Sequence, residues 1–296
     1  MAGNQPPRED STRETARSDP TTRSDGVAHD SSELTGNDLV IGYPATEEPV
    51  VEIDTVVLPQ GEVTALVGPN GSGKSTLLKS MANQLDPWKG RVMLDGEEIQ
   101  SVDAKTLAQR LGLLSQENES PGSLTVEKLV YHGRYPHRGF FESVTEEDEA
   151  AVERAIDLAG VEHLRDKSMN NLSGGQKQLA WIAMVLAQDT DVLLLDEPTT
   201  FLDLHHQLRV MEVVQTLNRE EGVTVGVVLH DIGQAARFAD NLVAMKDGEL
   251  YDWGPPKEVV TEELLADVFE VDATVDSESP TGPHISPHSA LDTDPE

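Results

Sequence analysis

A glycine-rich loop near residue 70 constrains the fold of this chain more than any other feature. Residues 68–75 read G-P-N-G-S-G-K-S, which fits the phosphate-binding pattern G-x-x-x-x-G-K-[ST]. Glycines let the backbone curl so that N–H groups point at phosphate oxygens, and the following helix adds its positive N-terminal end. A simple turn before a helix is the alternative, but the aliphatic run at residues 62–67 and the helical pattern after the loop favour phosphate binding.

The loop also predicts which groups contact a nucleotide. Lys74 is expected to neutralise the outer phosphates, and the hydroxyl of Ser75 is expected to ligate Mg²⁺. The residues expected to surround the nucleotide here are Gly68, Pro69, Asn70, Gly71, Ser72, Gly73, Lys74, Ser75 and Thr76.

Two carboxylates follow a second aliphatic run, at residues 192–195, which is typical of a parallel strand buried on both faces. Asp196 and Glu197 would stand at the edge where α/β sheets bind ligands, and alternation along a strand points them in different directions. Asp196 suits Mg²⁺, through a water, and Glu197 suits a general base that polarises the attacking water. A lone acidic pair after a strand is usually a solvated loop start, but the phosphate loop favours the catalytic interpretation.

A second glycine pair precedes a helical pattern at residues 172–176, L-S-G-G-Q. Ser173 as N-cap, followed by Gly174, Gly175 and Gln176, makes another helix terminus suited to an anion. Ordinary helix capping is the alternative. Because one nucleotide does not need two cradles on one chain, we expect the second cradle to serve a nucleotide held by another copy.

Strands and helices alternate along most of the chain, which predicts an α/β architecture over residues 34–271 with a mostly helical insertion at about residues 116–172. Residues 1–33 are rich in Ser and Thr and lack aromatic residues, so a disordered acidic tail is expected there. Residues 272–296 carry acids and prolines but no Lys or Arg, and a second acidic, proline-rich tail is expected.

Short-range signals predict three further features. Asp-Gly pairs at residues 95–96 and 247–248 are strong hairpin signals. Thr145, followed by acidic residues through Asp148, resembles a capping box that opens a helix.

The composition excludes several classes of partner and chemistry. The chain has 54 Asp plus Glu against 22 Lys plus Arg, a formal net charge of −32. Non-specific binding to DNA or RNA needs a basic surface, and docking on anionic lipid needs a polybasic face. The lack of cysteine excludes disulfides, thiol chemistry and cysteine-ligated metals. No apolar run approaches the ~18–20 residues that span a bilayer, so a soluble or peripheral protein is expected.

The three motifs at residues 68–75, 172–176 and 192–197 occur in the order and spacing of the ATP-binding cassette (ABC) ATPases. The chain resembles that family over about residues 34–288. The resemblance implies a P-loop NTPase of ABC type, in which a mixed central sheet carries an antiparallel β subdomain and a helical insertion subdomain. It also implies ATP and Mg²⁺ as cofactors.

Four single residues match lesser motifs of the family, although each match is weak alone. Gln116 resembles the Q-loop glutamine, which contacts Mg²⁺ or the water and senses the membrane partner. Asp203 resembles the D-loop aspartate at the dimer interface, and His230 resembles the switch histidine that contacts the γ-phosphate. Tyr43 resembles the aromatic residue that stacks on adenine.

The mechanism that the resemblance implies is an ATP sandwich. Two copies close head to tail as a homodimer, so that each ATP lies between one copy's phosphate loop and the other copy's residues 173–176. Glu197, His230 and Gln116 are the implied catalytic residues, and Ser75, Gln116 and Asp196 the implied Mg²⁺ ligands. Product release then reopens the dimer.

One segment of the insertion indicates the type of transporter. Residues 123–141, S-L-T-V-E-K-L-V-Y-H-G-R-Y-P-H-R-G-F-F, resemble the T-V-x-x-x-V-x-x-G-R-x-P-H segment of importer ATPases that serve iron–siderophore, haem and cobalamin permeases. The implied protein is a peripheral subunit at the cytoplasmic face of the membrane, with permease subunits and an extracellular substrate-binding protein as partners. Arg134 and nearby aromatic residues are expected to present a surface. A simple turn between helices is the alternative.

Several histidines lie outside these motifs, at positions 132, 137, 205 and 206. They lack a compact ligand spacing such as H-E-x-x-H, and His205 and His206 would diverge on a helix. Solvated or packed histidines are therefore expected, and no metal other than Mg²⁺ is predicted.

Three functional classes remain open on the sequence. The first is a transport ATPase. The second is a soluble cassette ATPase that acts on nucleic acid or ribosomes, but such proteins usually carry two cassettes and the acidity opposes it. The third is a regulatory module that binds ATP without hydrolysis, and the presence of Glu197 opposes that. We expect the transport ATPase, with no nucleic-acid partner.

The acidity extends through the tails and the predicted cassette, which resembles adaptation to a very salty cytoplasm, as in halophilic archaea. At ~1 M salt the Debye length falls to ~3 Å, so self-repulsion that opposes folding and dimer closure is largely screened. We predict that thermal stability and ATPase activity both rise steeply from low to molar KCl, as measured by thermal unfolding and phosphate release. A flat response would contradict this explanation of the charge.

Overall fold

The computed structural model describes residues 1, 32–116, 118, 123–139 and 142–291; nearly all of the predicted N-terminal tail lies outside that part. The β-strands are β1 (Leu34–Ile41), β2 (Val51–Leu58), β3 (Val63–Val67), β4 (Lys89–Leu94), β5 (Glu97–Glu98), β6 (Leu111–Leu114), β7 (Val192–Asp196), β8 (Thr224–Val228), β9 (Asn241–Lys246), β10 (Glu249–Gly254), β11 (Val271–Asp276) and β12 (His284–Ala290). The α-helices are α1 (Lys74–Met81), α2 (Ala104–Arg110), α3 (Val126–His132), α4 (Glu146–Ala159), α5 (Gly174–Leu186), α6 (Leu204–Glu221), α7 (Ile232–Phe238), α8 (Pro256–Val259) and α9 (Glu262–Asp267).

The described strands form three sheets. The central sheet has the order β10-β9-β3-β8-β7-β6, with all neighbours parallel except β10 at one edge. An antiparallel sheet has the order β2-β1-β4-β5, and β11 pairs with β12. Helices α3, α4 and α5 pack on one another. The mixed central sheet, antiparallel subdomain and helical subdomain confirm the predicted fold class.

The central sheet separates two hydrophobic cores. Every residue of β3, β7 and β8 is buried, as expected of parallel strands covered on both faces. Along β3, Ala65 and Val67 belong to the core under the helical subdomain, whereas Leu66 belongs to the core shared with α1 and the antiparallel sheet. Across the described part of the chain, no helix has both the length and the apolar character needed to cross a membrane.

The short-range signals of the sequence are confirmed. The Asp-Gly pairs at residues 95–96 and 247–248 turn the β4–β5 and β9–β10 hairpins with positive φ at all four residues. Thr145 caps α4: its hydroxyl accepts from the N–H of Asp148, whose carboxylate accepts from the N–H of Thr145. The chain therefore follows its local signals at these points.

The C-terminal segment corrects one expectation. The sequence predicts a tail from residue 272, whereas the structure has the β11–β12 hairpin up to Ala290. Val275 and Ile285 pack against the larger core, and a Cβ on Gly282 would lie 2.6 Å from the carbonyl oxygen of Ala236. A few apolar residues therefore suffice to hold the segment, since strand pairing satisfies its backbone groups.

Arg134 corrects a second expectation. The sequence predicts that it presents a surface, but only 1% of Arg134 is exposed. Its Nε donates to Asp148 Oδ1 at 2.9 Å, and its Nη1 donates to the carbonyl oxygen of Ala187 at 2.9 Å. Burial would raise the pKa of Asp148, but the hydrogen bonds from Arg134 and Thr145 hold it below its ordinary value. The motif thus ties α4 to the end of α5.

The neighbours of Arg134 in this motif also pack inward. A Cβ on Gly133 would lie 2.1 Å from the carbonyl oxygen of Met184, and a ring nitrogen of His137 lies 2.6 Å from the carbonyl oxygen of Gln188. Tyr135, by contrast, is 59% exposed. The segment therefore serves mainly to join the helical subdomain to the last turn of α5.

We predict that Arg134→Ala lowers the free energy of unfolding by about 3–5 kcal/mol, because it leaves Asp148 buried and unpaired. Denaturant unfolding measures the difference. Arg138→Ala, four residues away and only partly buried, is the matched control and should cost much less. Equal losses in the two variants would contradict the structural role of the Arg134–Asp148 pair.

Candidate functional site

The parallel register of the central sheet gathers the predicted site residues at one edge. Lys74 starts the helix that follows β3, and Asp196 ends β7. Gln116 and His230 each stand two residues beyond the end of a strand, β6 and β8 respectively. Since β3, β8, β7 and β6 are consecutive and parallel, all of these residues meet at their carboxyl ends.

The phosphate loop folds as its glycines predict. Gly68, Gly71 and Gly73 have φ angles of 149°, 85° and 93°, which residues other than glycine rarely adopt. A Cβ on Gly68 would lie 2.2 Å from the carbonyl oxygen of Met245, so this position also needs glycine for space. The N–H groups of the first turn of α1 have no partners within the helix and are available to an anion.

Lys74 is buried beside this loop. Its Nζ donates to the carbonyl oxygens of Gly68 at 2.9 Å and Pro69 at 2.8 Å. Burial lowers the pKa of Lys74, while the negative charges of Glu197 and Asp196 act in the opposite direction. The ammonium group is therefore held where phosphates would lie, near the carboxylates of Glu197 and Asp196.

Ser75 and Asp196 meet across the sheet edge. The hydroxyl of Ser75 donates to Asp196 Oδ1 at 2.7 Å. Asp196 Oδ2 is buried, and no described residue gives it a hydrogen bond. Burial raises the pKa of Asp196, opposed by the hydrogen bond from Ser75 and the charges of Lys79 and Lys74. A hydroxyl and an unsatisfied carboxylate oxygen are donors that suit Mg²⁺, so the residues present fit the ion.

Glu197 is the point on which three neighbouring side chains converge. Its Oε2 accepts from Gln116 Nε2 at 2.7 Å and from Thr200 Oγ1 at 3.1 Å, and it lies 2.6 Å from His230 Nε2. Glu197 has a φ angle of 52°, a strained conformation that turns the chain sharply after β7. The structure thus brings Gln116, Glu197 and His230 together. Thr200, three residues after Glu197, is not among the site residues that the sequence predicts.

A cavity of about 190 Å³ opens at this edge. Tyr43 stands beside it, 37% exposed, with its hydroxyl 3.2 Å from Thr76 Oγ1. Glu197 and Val50, the residue before β2, line the cavity together with the phosphate loop. Its lining residues are Val50, Asn70, Gly71, Gly73, Lys74, Ser75, Thr76 and Glu197.

The second predicted cradle forms a separate group. Ser173 caps α5: its hydroxyl accepts from the N–H of Gln176, whose side-chain oxygen accepts from the N–H of Ser173. The position of a Cβ on Gly174 has no atom within 4 Å, so this end of the helix is open. Asp203 caps α6. None of these residues lines the cavity next to Lys74.

The remaining histidines fit the expectation of packed or solvated side chains. The ring of His132 lies 4.8 Å from that of Tyr135, and the rings of His205 and His206 are 5.3 Å apart, edge to face. In the described part of the chain, no three His, Cys, Asp or Glu residues are arranged to hold a metal ion. The ring of His206 also makes a hydrogen bond with the carboxylate of Asp203.

Comparison with known proteins gives the same picture. The family described as "ABC transporter" matches residues 52–200. The ferric enterobactin transport ATP-binding protein FepC of Escherichia coli (strain K12) is 49% identical over 236 residues, which cover 80% of this chain and 86% of FepC. The petrobactin import ATP-binding protein FpuD of Bacillus anthracis is 43% identical over 251 residues, which cover 84% of this chain and 91% of FpuD.

A solved structure extends the comparison to three dimensions. It is the dimeric, post-hydrolysis state of the ATP-binding cassette MJ0796, bound to ADP and Pi. Its TM-score with this chain is 0.66 at 29% sequence identity, and the match covers 75% of this chain and 98% of the cassette.

The buried carboxylate of Asp196 is expected to lower the stability of the chain without ligand and to favour the binding of ATP and Mg²⁺. Asp196→Asn keeps the shape of the side chain but removes a charge that burial disfavours at pH above its raised pKa. Without nucleotide we expect the thermal midpoint to rise, since about 1 kcal/mol corresponds to about 2–4 °C in domains of about 150–250 residues. With ATP and Mg²⁺ we expect the ligand-induced rise of the wild type to be largely lost.

Thermal unfolding with and without ATP and Mg²⁺ measures both effects. Asp86→Asn, which changes an exposed carboxylate away from the site, is the control and should behave like the wild type. If Asp196→Asn keeps the full stabilisation by ATP and Mg²⁺, the carboxylate has no part in holding the ion.

Proposed function

The chain belongs to the ABC transporter family, and on that premise we propose that it is the ATPase subunit of an importer for ferric siderophores. ABC-type ATP hydrolysis is the activity of this family, and the chain has the cassette fold. The observation that carries the proposal is the convergence of Gln116, Thr200 and His230 on Glu197, beside the buried Lys74. A protein that only binds ATP would not need its base so closely surrounded.

In the proposed reaction the chain's residues handle charge and one proton. The phosphates lie on the loop at residues 68–75, where Lys74 and the N–H groups of α1 oppose their charge. Glu197 takes a proton from the attacking water. As it does so, the water oxygen forms a bond to the γ-phosphorus, and the bond between the γ-phosphorus and the oxygen that leaves with ADP breaks. Gln116 and His230 position Glu197 and the water. Catalysis thus rests on positioning and on electrostatic stabilisation of the transferring group.

We propose that Ser75, Asp196 and Gln116 hold Mg²⁺. Ser75 and Asp196 are hydrogen-bonded to each other, and Gln116 contacts Glu197, the residue after Asp196. The ion, when bound, neutralises charge on the β- and γ-phosphates. The support from this chain is the pairing of the Ser75 hydroxyl with one carboxylate oxygen while the other stays unsatisfied. Tyr43, at the mouth of the cavity, is proposed to stack on the adenine.

We propose that two copies form the working unit. Residues 173–176 lie outside the cavity that holds Lys74, and Gly174 is open to an incoming group. A second copy placed head to tail would supply this helix terminus to the nucleotide. Asp203, at the start of α6, would stand at the same interface. The dimeric state of the cassette MJ0796 supports this arrangement.

The transported substrate is proposed from the relatives. FepC and FpuD are named for the transport of ferric enterobactin and petrobactin, so we favour ferric siderophores over haem or cobalamin. Membrane permease subunits and an extracellular substrate-binding protein are the proposed partners, with this subunit at the cytoplasmic face. We also propose that the folded domain, which the β11–β12 hairpin extends to Ala290, is adapted to high salt, as the chain's net charge of −32 suggests.

Glu197→Gln tests the base. We expect ATP hydrolysis to fall by at least about 100-fold, the lower end of general-base effects, while ATP binding is retained and an ATP-bound dimer accumulates. Phosphate release, nucleotide binding and size-exclusion chromatography in molar KCl measure the three outcomes. Glu212→Gln, an exposed carboxylate on α6, is the matched control. Undiminished hydrolysis in the Glu197 variant would refute the assignment of the base.

Co-purification and uptake test the partners and the substrate. We expect the chain to be recovered with a polytopic permease, and vesicles that contain the complex and enclose ATP to accumulate ferric siderophore supplied outside. Haem and cobalamin are the parallel arms of the uptake assay. Recovery with ribosomes would overturn the transport function, and uptake of cobalamin alone would overturn the substrate class.

A further inference from the structure

His206 connects two motifs that the proposed mechanism treats separately. It lies in the first turn of α6, and Asp203 Oδ1 accepts both the backbone N–H of His206 at 3.0 Å and its ring Nδ1 at 2.8 Å. The carboxylate can only accept, so Nδ1 carries the proton. Asp203 is therefore fixed by two donors from one residue, although its side chain is 68% exposed.

The other side of the same ring packs on the second cradle. A Cβ on Gly175 would lie 2.3 Å from His206 Cδ2 and 2.4 Å from Cγ, so the ring rests directly on the glycine. Gly175 does not have a positive φ angle. Glycine is therefore needed at this position for space rather than for backbone conformation. The ring of His206 accounts for the second glycine of the Ser-Gly-Gly sequence.

The loop that ends at Asp203 is in turn hydrogen-bonded to the carboxylate of Glu197. Gln207, the next residue of α6, donates from Nε2 to the carbonyl oxygen of Leu202 at 3.1 Å. Thr200, two residues before Leu202, donates to Glu197 Oε2 at 3.1 Å. The short loop between Glu197 and Asp203 is thus held by a hydrogen bond near each end. A shift of its C-terminal end would therefore be transmitted to the carboxylate of Glu197.

We propose that His206 is a positioning residue that couples the two nucleotide sites of the dimer. The proposal rests on the proposed function. A nucleotide of the partner copy that seats on Gly174 and Gly175 would press on the ring of His206. The ring would move Asp203, and the loop would carry that movement to Glu197 of the same copy. Each site would thereby sense whether the opposite site is filled.

The structure separates the two contacts of His206, which makes the proposal testable. His206→Asn keeps an N–H donor near the position of Nδ1, so it can still bond to Asp203. It replaces Cδ2 by an amide oxygen and removes Nε2, which would lie 2.8 Å from a Cβ on Gly175, so the contact with the glycine is reduced. If His206 only caps α6, the Asn variant should behave like the wild type. If it couples the sites, the Asn variant should fold normally and lose cooperativity.

We expect His206→Asn to keep the thermal midpoint and the nucleotide affinity of the single chain. We expect the Hill coefficient of ATP hydrolysis to fall to about 1, and ATP-driven dimerisation in the Glu197→Gln background to weaken by about tenfold, a size typical of coupling between sites. His205→Asn changes the adjacent, exposed imidazole and is the matched control; it should keep the cooperativity. All assays are made with the full chain in molar KCl.

Gly175→Ala gives an independent test from the opposite side of the contact. The added methyl keeps the backbone N–H but displaces the ring, so this variant should lose cooperativity as His206→Asn does. Because the two changes break one contact, the double variant should be no worse than either single variant. Additive losses would contradict the coupling through His206.

The outcomes distinguish this proposal from the function on which it rests. A wild-type chain that does not hydrolyse ATP overturns the proposed function. A wild-type chain that hydrolyses ATP cooperatively, together with a His206→Asn variant of equal cooperativity, overturns only the role of His206. Hydrolysis by the wild type without cooperativity also overturns it.

Discussion

The parallel pairing of β3, β8, β7 and β6 is the constraint on which the site depends. Each of these strands is buried on both faces or nearly so, which fixes its register and its direction. Because the strands run the same way, the residues that follow them meet at one edge. The phosphate loop, the carboxylate pair, Gln116 and His230 are distant in sequence but adjacent in space for this reason alone.

Charge at this edge is arranged locally rather than over the whole surface. The chain carries a net charge of −32 and still offers Lys74 and two helix N-termini to a polyanion. Asp196 and Glu197 oppose phosphate until a cation joins them, which fits the unsatisfied oxygen of Asp196. The net negative charge of the whole chain therefore does not exclude an anionic ligand at this edge.

Most of the fold and of the candidate site could be predicted from the sequence, since both depend on local patterns in a known order. Long-range packing could not. Nothing near Arg134 indicates that Asp148 and the end of α5 enclose it, and the hairpin after residue 270 is held by only a few apolar residues. For His206 the sequence predicts only a solvated or packed side chain; its contacts with Asp203 and Gly175 depend on how α5 and α6 meet.

We infer that this sheet edge hydrolyses ATP and does not merely bind it. The most direct test is phosphate release by the purified full chain in molar KCl with ATP, once with Mg²⁺ and once with EDTA. We expect steady release with Mg²⁺ and almost none with EDTA. Binding of ATP without phosphate release in the presence of Mg²⁺, with or without the permease, would contradict this inference.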